Sequence, residues 1–192
     1  MTAVFAPDAQ GWVQGARVVR SPNCDERPPG FAPTLLVIHN ISLPPGRFGT
    51  GNIERLFTNT LDPDADPYFA HLDGLRVSAH FLIGRDGNLT QFVSIHDRAW
   101  HAGQSEFKGR TRCNDFSLGI ELEGTDTTPF SASQYLTLAA LCRSLCAAHP
   151  IEALAGHSDI APGRKTDPGP CFDWSALRTA SGLPACRFPF QS

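Results

Sequence analysis

The chain has 192 residues, 41% of them hydrophobic, and a formal net charge of −3. That length and apolar content suit one domain with a sizeable core and exclude a disordered chain. The charge leaves no basic footprint for nucleic acid and no like-charge tail, so the expected partner is a small molecule, with no obligate protein partner inferred.

The N-terminus, MTAVFAPDAQGWVQGARVVR, lacks the basic start and unbroken apolar core of a signal peptide. No later stretch reaches the roughly 18 apolar residues of a membrane span. A soluble, cytoplasmic protein is the expectation. Its six cysteines contain no CxxC pair and are expected as reduced thiols, several of them buried as small hydrophobes.

Residues 1–33, rich in Pro, Gly and Arg, read as a mostly irregular arm packed on the domain. Thr34 to Ile38 is continuously apolar, which suits a strand buried on both faces. It runs into His39 and Asn40, at the rim of a sheet where side chains can converge on a site; a core histidine bonded to a carbonyl is the alternative. Ile53, Leu56, Phe57 and Thr60 then recur at helical spacing behind a possible Asn52 cap. Val77 to Ile83 alternates, Arg85-Asp86-Gly87-Asn88 supplies a turn, and Leu89 to Val93 returns, so a β-hairpin is predicted. His80, mid-strand among apolar neighbours, is expected to be structural rather than a ligand. Trp100 beside His101 can wall a pocket or plug the edge of the core.

Ser117 to Glu123, SLGIELE, reads as a strand with Gly119, Glu121 and Glu123 on one face. Two carboxylates facing one way repel unless one meets a cation or water, which makes one of them a candidate general base. Gly119 leaves room beside Glu121, and Glu123 at the strand's end is the one expected to be solvated; two exposed acids are the alternative. Ser131-x-x-Gln134 is a capping box opening a helix that carries Tyr135, Leu138, Cys142 and Leu145 on one face and stops by His149-Pro150. Cys142 and Cys146, one turn apart, have no second pair to complete a metal site and are expected in the core. Phe172 to Thr179 reads as a short helix, and residues 181–192 as a frayed tail. Strands interleaved with helices give a single α/β domain over residues 1–192, a mixed central sheet flanked by helices.

The stretch with the most chemistry is AGHSDIAPGRKTDPGP, residues 155–170, which its prolines and glycines are expected to bar from regular structure. It sets His157, Lys165 and Asp167 in one loop, with Lys165 and Asp167 at i, i+2; a solvated Lys–Asp pair is the bland alternative. With His39, this loop offers two imidazoles and a carboxylate, a set that can hold Zn2+ and leave a position for water. Amide hydrolysis around such an ion also needs a base and an oxyanion donor, roles open to Glu121 and Lys165. Spacing alone does not establish the site, since only folding brings these residues together and there is no HExxH motif.

The runs LLVIHNISLPPG (35–46), DPYFA (66–70), LRVSAHFLI (75–83), RAWHAG (98–103), RCNDFSLGIELEGTD (112–126) and GHSDIAPGRKTDPGP (156–170) cover most of residues 35–175. The chain thereby resembles the zinc amidase family that includes peptidoglycan recognition proteins and phage lysozymes of the amidase type, and within it the branch that acts on 1,6-anhydro-muropeptides. The wider family often has cysteine as its third ligand; the matching position here is Asp167, as in that branch. The resemblance implies zinc on His39, His157 and Asp167, Glu121 rather than Glu123 as catalytic acid/base, and Lys165 as transition-state stabiliser. It implies cleavage of the amide between anhydro-N-acetylmuramic acid and L-alanine during cell-wall recycling. It also associates Asn40, Arg76 and Arg112 with substrate contact, arginine being suited to grip carboxylates bidentately.

Overall fold

The computed structural model describes residues 5–190. Leu35, Leu36, Val37 and Ile38 are all fully buried, because the strand they open, β3 (Leu35–Ile41), lies inside the sheet with both faces covered. In chain order it is preceded by β1 (Arg17–Val18) and β2 (Cys24–Glu26) and followed by α1 (Asn52–Phe57), β4 (Phe81–Ile83) and β5 (Leu89–Gln91). Then come β6 (Asp97–Ala99), β7 (Glu106–Phe107), β8 (Arg110–Thr111), β9 (Ser117–Glu123), α2 (Ala132–Ala148), β10 (Ala153–Gly156), α3 (His157–Ile160) and α4 (Trp174–Ser181).

The main sheet has six strands in the order β1-β5-β4-β9-β3-β10. Only the β4–β5 hairpin is antiparallel; β1, β9, β3 and β10 each pair in parallel with their neighbours. This is the mixed sheet with flanking helices expected from the alternation of elements.

Period-two alternation sorts the side chains of β3 and β9. Leu36, Ile38, Leu118, Ile120 and Leu122 pack with Leu138, Leu141, Cys142 and Leu145 of α2 and Leu177 of α4. Leu35 and Val37 point the other way, into a cluster with Ala102, Phe107, Cys113, Phe116 and Ile160. Each such side chain is worth about 1.5–3 kcal/mol when fully buried, so the two clusters fix which face of β3 and β9 looks where. The face that carries Leu35 and Val37 also carries His39, and parallel register sets His39 directly beside Glu121.

The capping box forms as read: Ser131 Oγ accepts from Gln134 N at 3.1 Å and Gln134 Oε1 accepts from Ser131 N at 3.0 Å. The buried Gln134 amide also donates to Glu123 O at 2.9 Å, tying α2 to β9. The turn of the hairpin closes through Gly84 N to Asn88 O at 3.0 Å, with Gly87 at φ +86°.

Several local expectations are corrected. Asn52 is the first residue of α1 rather than its cap; Gly51 holds that position in a left-handed conformation. Residues 77–80 lie outside β4, bonding instead through Ser78 N to Trp100 O and His80 N to Gly119 O. The stretch 155–170 is irregular only beyond Ile160, since it opens with the end of β10 and the helical turn α3. Past α4, which Asp173 caps through Ala176 N, the tail expected to fray carries a 3-10 turn, Ala185–Arg187, and a buried Phe188. Residues 191–192, and residues 1–4 of the N-terminal arm, lie outside the described part. The six thiols are all unbonded, with Cys142 in the core. Among the described residues no helix is long and apolar enough to cross a membrane.

The arm is held by Arg27. Its guanidinium donates to the carbonyls of Asn114 and Asp115, both at 3.1 Å, of Ser117 at 2.9 Å and of Ile95 at 3.3 Å. Replacing Arg27 with methionine keeps the stem and strands these acceptors. At roughly 1–3 kcal/mol for a buried group left unsatisfied, we expect a loss of about 2–4 kcal/mol, read from the urea midpoint. A midpoint equal to that of the parent protein would refute this role.

Candidate active site

Three adjacent parallel strands end together. His39 lies near the carboxyl end of β3, Glu121 near that of β9, and His157 immediately follows β10, the edge of an open sheet at which ligand sites are commonly built. The loop that bears Asp167 returns over these ends. Ser158 N donates to Asp167 O at 2.9 Å, and Asn40 Nδ2 donates to Pro168 O at 3.1 Å and Asp126 Oδ1 at 2.7 Å. Close approach needs Gly156, where a Cβ would come within 2.8 Å of Pro168.

The result is a convergence that no local spacing encodes. His39 Nδ1 lies 3.0 Å from His157 Nδ1 and 2.9 Å from Asp167 Oδ2, and His157 Nδ1 lies 3.1 Å from the same oxygen. Among the described residues this is the one group of three or more His, Cys, Asp or Glu side chains arranged so that it could hold a metal ion. The donor set fits one: tetrahedral bonds of about 2.0–2.1 Å place ligands about 3.3 Å apart, a few tenths more than observed. Three lone-pair atoms this close repel unless a proton or a cation sits among them.

The electrostatics agree. Burial pushes His39 down to about 4, against the pull of Asp167, so at neutral pH its contact with the carboxylate is not a charge pair. For Asp167, burial works upward, but hydrogen bonding to His157 and His39 holds the carboxyl well below its usual range. The site therefore presents a neutral His39 imidazole, the second imidazole of His157 and one carboxylate.

Glu121 completes it. The residue is 8% exposed and its Oε2 has no hydrogen-bond partner. Burial raises its pKa well above the ordinary value; the Asp167 charge adds to the rise and Lys165 opposes it. A buried carboxylate with a bare oxygen is what proton transfer requires. Glu123 differs from expectation: it is buried rather than solvated, its Oε1 accepting from Gly49 N at 2.6 Å. The strand end is covered by the loop that leads into α1, and Glu123 is used up in holding that loop.

His39, Glu121, His157, Lys165 and Asp167 all line one cavity of about 240 Å³, walled by Trp100, His101, Leu75 and Val77. A larger groove of about 620 Å³ continues from it, sharing Asn40, Ile41, Lys165 and Asp167. Lys165 is exposed and lines the cavity at its solvent side. Trp100 is thus a pocket wall and not an edge plug. His80 is structural, as expected: fully buried, its Nδ1 accepts from Gly119 N at 3.0 Å and its Nε2 lies 3.1 Å from Asp97 O.

The substrate contacts fare differently. Asn40 lines the cavity with its amide nitrogen already engaged. Arg76 and Arg112 are exposed and outside the cavity lining; Arg112 pairs with Asp115 at 3.2 Å, and Arg76 borders a separate space of about 110 Å³. Sequence reasoning missed Asn114, whose Oδ1 accepts from His101 N at 3.2 Å and Ala102 N at 2.8 Å. It also missed Ser117, which bonds the His101 ring. No spacing signal marks either one.

Residues 29–170 match the family profile described as N-acetylmuramoyl-L-alanine amidase. The chain is 59% identical over 171 residues, 88% of this chain and 93% of the relative, to the Escherichia coli protein named 1,6-anhydro-N-acetylmuramyl-L-alanine amidase AmpD. It superimposes on a crystal structure of a selenomethionine AmpD derivative with a TM-score of 0.88 at 56% identity, covering 91% of this chain and 98% of that one. The Escherichia coli amidase AmiD, solved with the substrate anhydro-N-acetylmuramic acid-L-Ala-D-gamma-Glu-L-Lys, superimposes with a TM-score of 0.57 at 28% identity, covering 94% of this chain and 67% of that one.

Proposed function

This chain belongs to the N-acetylmuramoyl-L-alanine amidase family, and on that premise we propose that it is a zinc-dependent hydrolase of 1,6-anhydro-muropeptides acting in cytoplasmic peptidoglycan recycling. The bond cut is the amide between the lactyl group of the anhydro sugar and L-alanine. One observation carries the reading: two imidazoles and a carboxylate converge in a cavity that also holds a buried, unpartnered carboxylate. The name of the relative that matches over most of its length supports the substrate.

His39, His157 and Asp167 would hold the ion. Zinc there supplies Lewis acidity toward the scissile carbonyl and lowers the pKa of a water to about 7. Glu121 Oε2 takes the proton of the attacking water and afterwards delivers it to the leaving nitrogen. Lys165 faces the oxygen on which negative charge develops. Trp100, Leu75 and Val77 exclude water from one side of the bond. Arg76, between two lining residues, stands where it can meet a peptide carboxylate at the rim; Arg112, outside that lining, pairs with Asp115 through Nε.

Metal-free protein assayed on anhydromuramyl-tripeptide should be inactive and regain turnover with zinc. Full activity without metal would sink the proposal. Parallel assays on ordinary muramyl-tripeptide test the sugar preference. Replacing Lys165 with alanine should lower kcat by roughly 10²–10³, the usual cost of an oxyanion donor, with zinc still bound. An unchanged kcat would remove Lys165 from the mechanism.

A further inference from the structure

Two imidazoles can both aim a Nδ1 lone pair at one ion only if each keeps its proton on Nε2. For His157 a carbonyl settles the matter: Ala102 O lies 3.1 Å from Nε2 and can only accept. For His39 no carbonyl stands there. Its Nε2 faces another ring nitrogen, His101 Nδ1, at 3.0 Å, and either nitrogen is able to donate. What orders His39 is therefore whatever orders His101.

The chain of contacts continues. His101 Nε2 lies 3.2 Å from Ser117 Oγ, and Ser117 Oγ lies 2.6 Å from Cys113 O. A carbonyl has no proton, so the hydroxyl spends its single proton on Cys113 O and offers His101 a lone pair. His101 then donates from Nε2 and is left with a bare Nδ1, which accepts from His39 Nε2. His39 Nδ1 is consequently bare, pointing at His157 Nδ1 and Asp167 Oδ2.

The ring of His101 is wedged to hold this line. It lies so close over Gly119 that a Cβ there would come within 2.5 Å of it, and Asn114 Oδ1 clamps the backbone of both His101 and Ala102. The dipeptide His101-Ala102 thus supplies one partner to each histidine of the site: a ring to His39 and a carbonyl to His157.

We propose that His101 and Ser117 form a proton-ordering relay that ends on Cys113 O and presents His39 as a Nδ1 donor to the metal. His101 is a positioning residue, acting through His39. The inference rests on the zinc reading above.

Zinc affinity, measured by competition with a chromophoric chelator, tests it on the parent protein and on His101→Phe, His101→Asn and Ser117→Ala. His101→Phe keeps the ring's shape but strands His39 Nε2–H, and should weaken zinc binding 10- to 100-fold, the usual effect of losing such a partner. His101→Asn places a carbonyl oxygen near the Nδ1 position and should recover most of that loss; Ser117→Ala should fall between. Side-chain 15N spectra of the zinc-loaded parent protein should show His101 protonated at Nε2 and bare at Nδ1, a readout that stands even if a variant fails to fold. A His101→Phe affinity equal to the parent's, equal losses in the Phe and Asn variants, or a proton on His101 Nδ1 would each overturn the relay. A parent protein that binds no zinc would instead overturn the proposed function.

Discussion

Replacing Asp167 with alanine is expected to abolish zinc binding and, with it, hydrolysis, while the fold survives. Asp167 is the one anionic donor of the three, and its Oδ2 sits 2.9 Å and 3.1 Å from the two histidine nitrogens. Two neutral imidazoles alone cannot balance the charge of a divalent cation in a partly buried site. The affinity loss should exceed the roughly 10- to 100-fold that an outer partner costs. Because a metal ion contributes several kcal/mol to the barrier and about 1.4 kcal/mol is tenfold in rate, turnover should fall by at least about 10³. The fold has little stake in this side chain. The loop around it is tied down by other groups, through Asn40 Nδ2 to Pro168 O and Ser158 N to the Asp167 carbonyl. Metal analysis after dialysis, with turnover on anhydromuramyl-tripeptide, checks the prediction; a variant that keeps stoichiometric zinc contradicts it.

The second large effect belongs to Glu121. Glutamine in its place preserves shape and ends proton transfer, so kcat should fall by roughly 10²–10⁴, the worth of general acid–base catalysis, with zinc retained. The pH profile follows from the role of a base. Glu121 must be ionised to accept a proton, so in the parent protein kcat/KM should decline as pH falls through its pKa, and this acid limb should vanish in the variant.

Stability of the metal-free protein should move the opposite way. With its folded pKa above the ordinary carboxylate value of 4.5, Glu121 binds its proton more tightly in the folded state, so ionising it at neutral pH costs stability. Glu121→Gln should therefore be more stable than the parent at pH 7. The advantage should shrink as pH falls through the raised pKa and be gone below about 4.5, where both states are protonated. Urea midpoints at several pH values measure it. A variant less stable at pH 7 would mean that the carboxylate has partners the structure does not give it.

The sheet was legible because its signals are local. The unbroken apolar run at Leu35 to Ile38, the Asp-Gly turn before Asn88 and the Ser131 capping box each carry their physics within a few residues. All three form as read. The errors fall where a distant element intervenes. Glu123 looks exposed from its place at a strand end, yet the loop at Gly49 comes back to cover it. Gly163 and the prolines at 162, 168 and 170 made the whole 155–170 stretch look irregular. Pairing of Ala153–Gly156 with β3 nonetheless continues a strand up to His157.

By itself the sequence determined β3, the β4–β5 hairpin, β9, the helices α1, α2 and α4, and the inventory of chemical groups, since alternation, capping and turn chemistry act between neighbours. It named Trp100 and His101 but left open whether they wall a pocket. Only the tertiary structure decided that His39, His157 and Asp167 share one point, that Glu121 faces it unpartnered, and that His101 and Ser117 stand behind His39. Parallel pairing of β10 with β3 joins residues 118 positions apart, and that of β3 with β9 joins residues 82 apart. The direction in which a ring nitrogen points depends on neighbours that no spacing along the chain specifies.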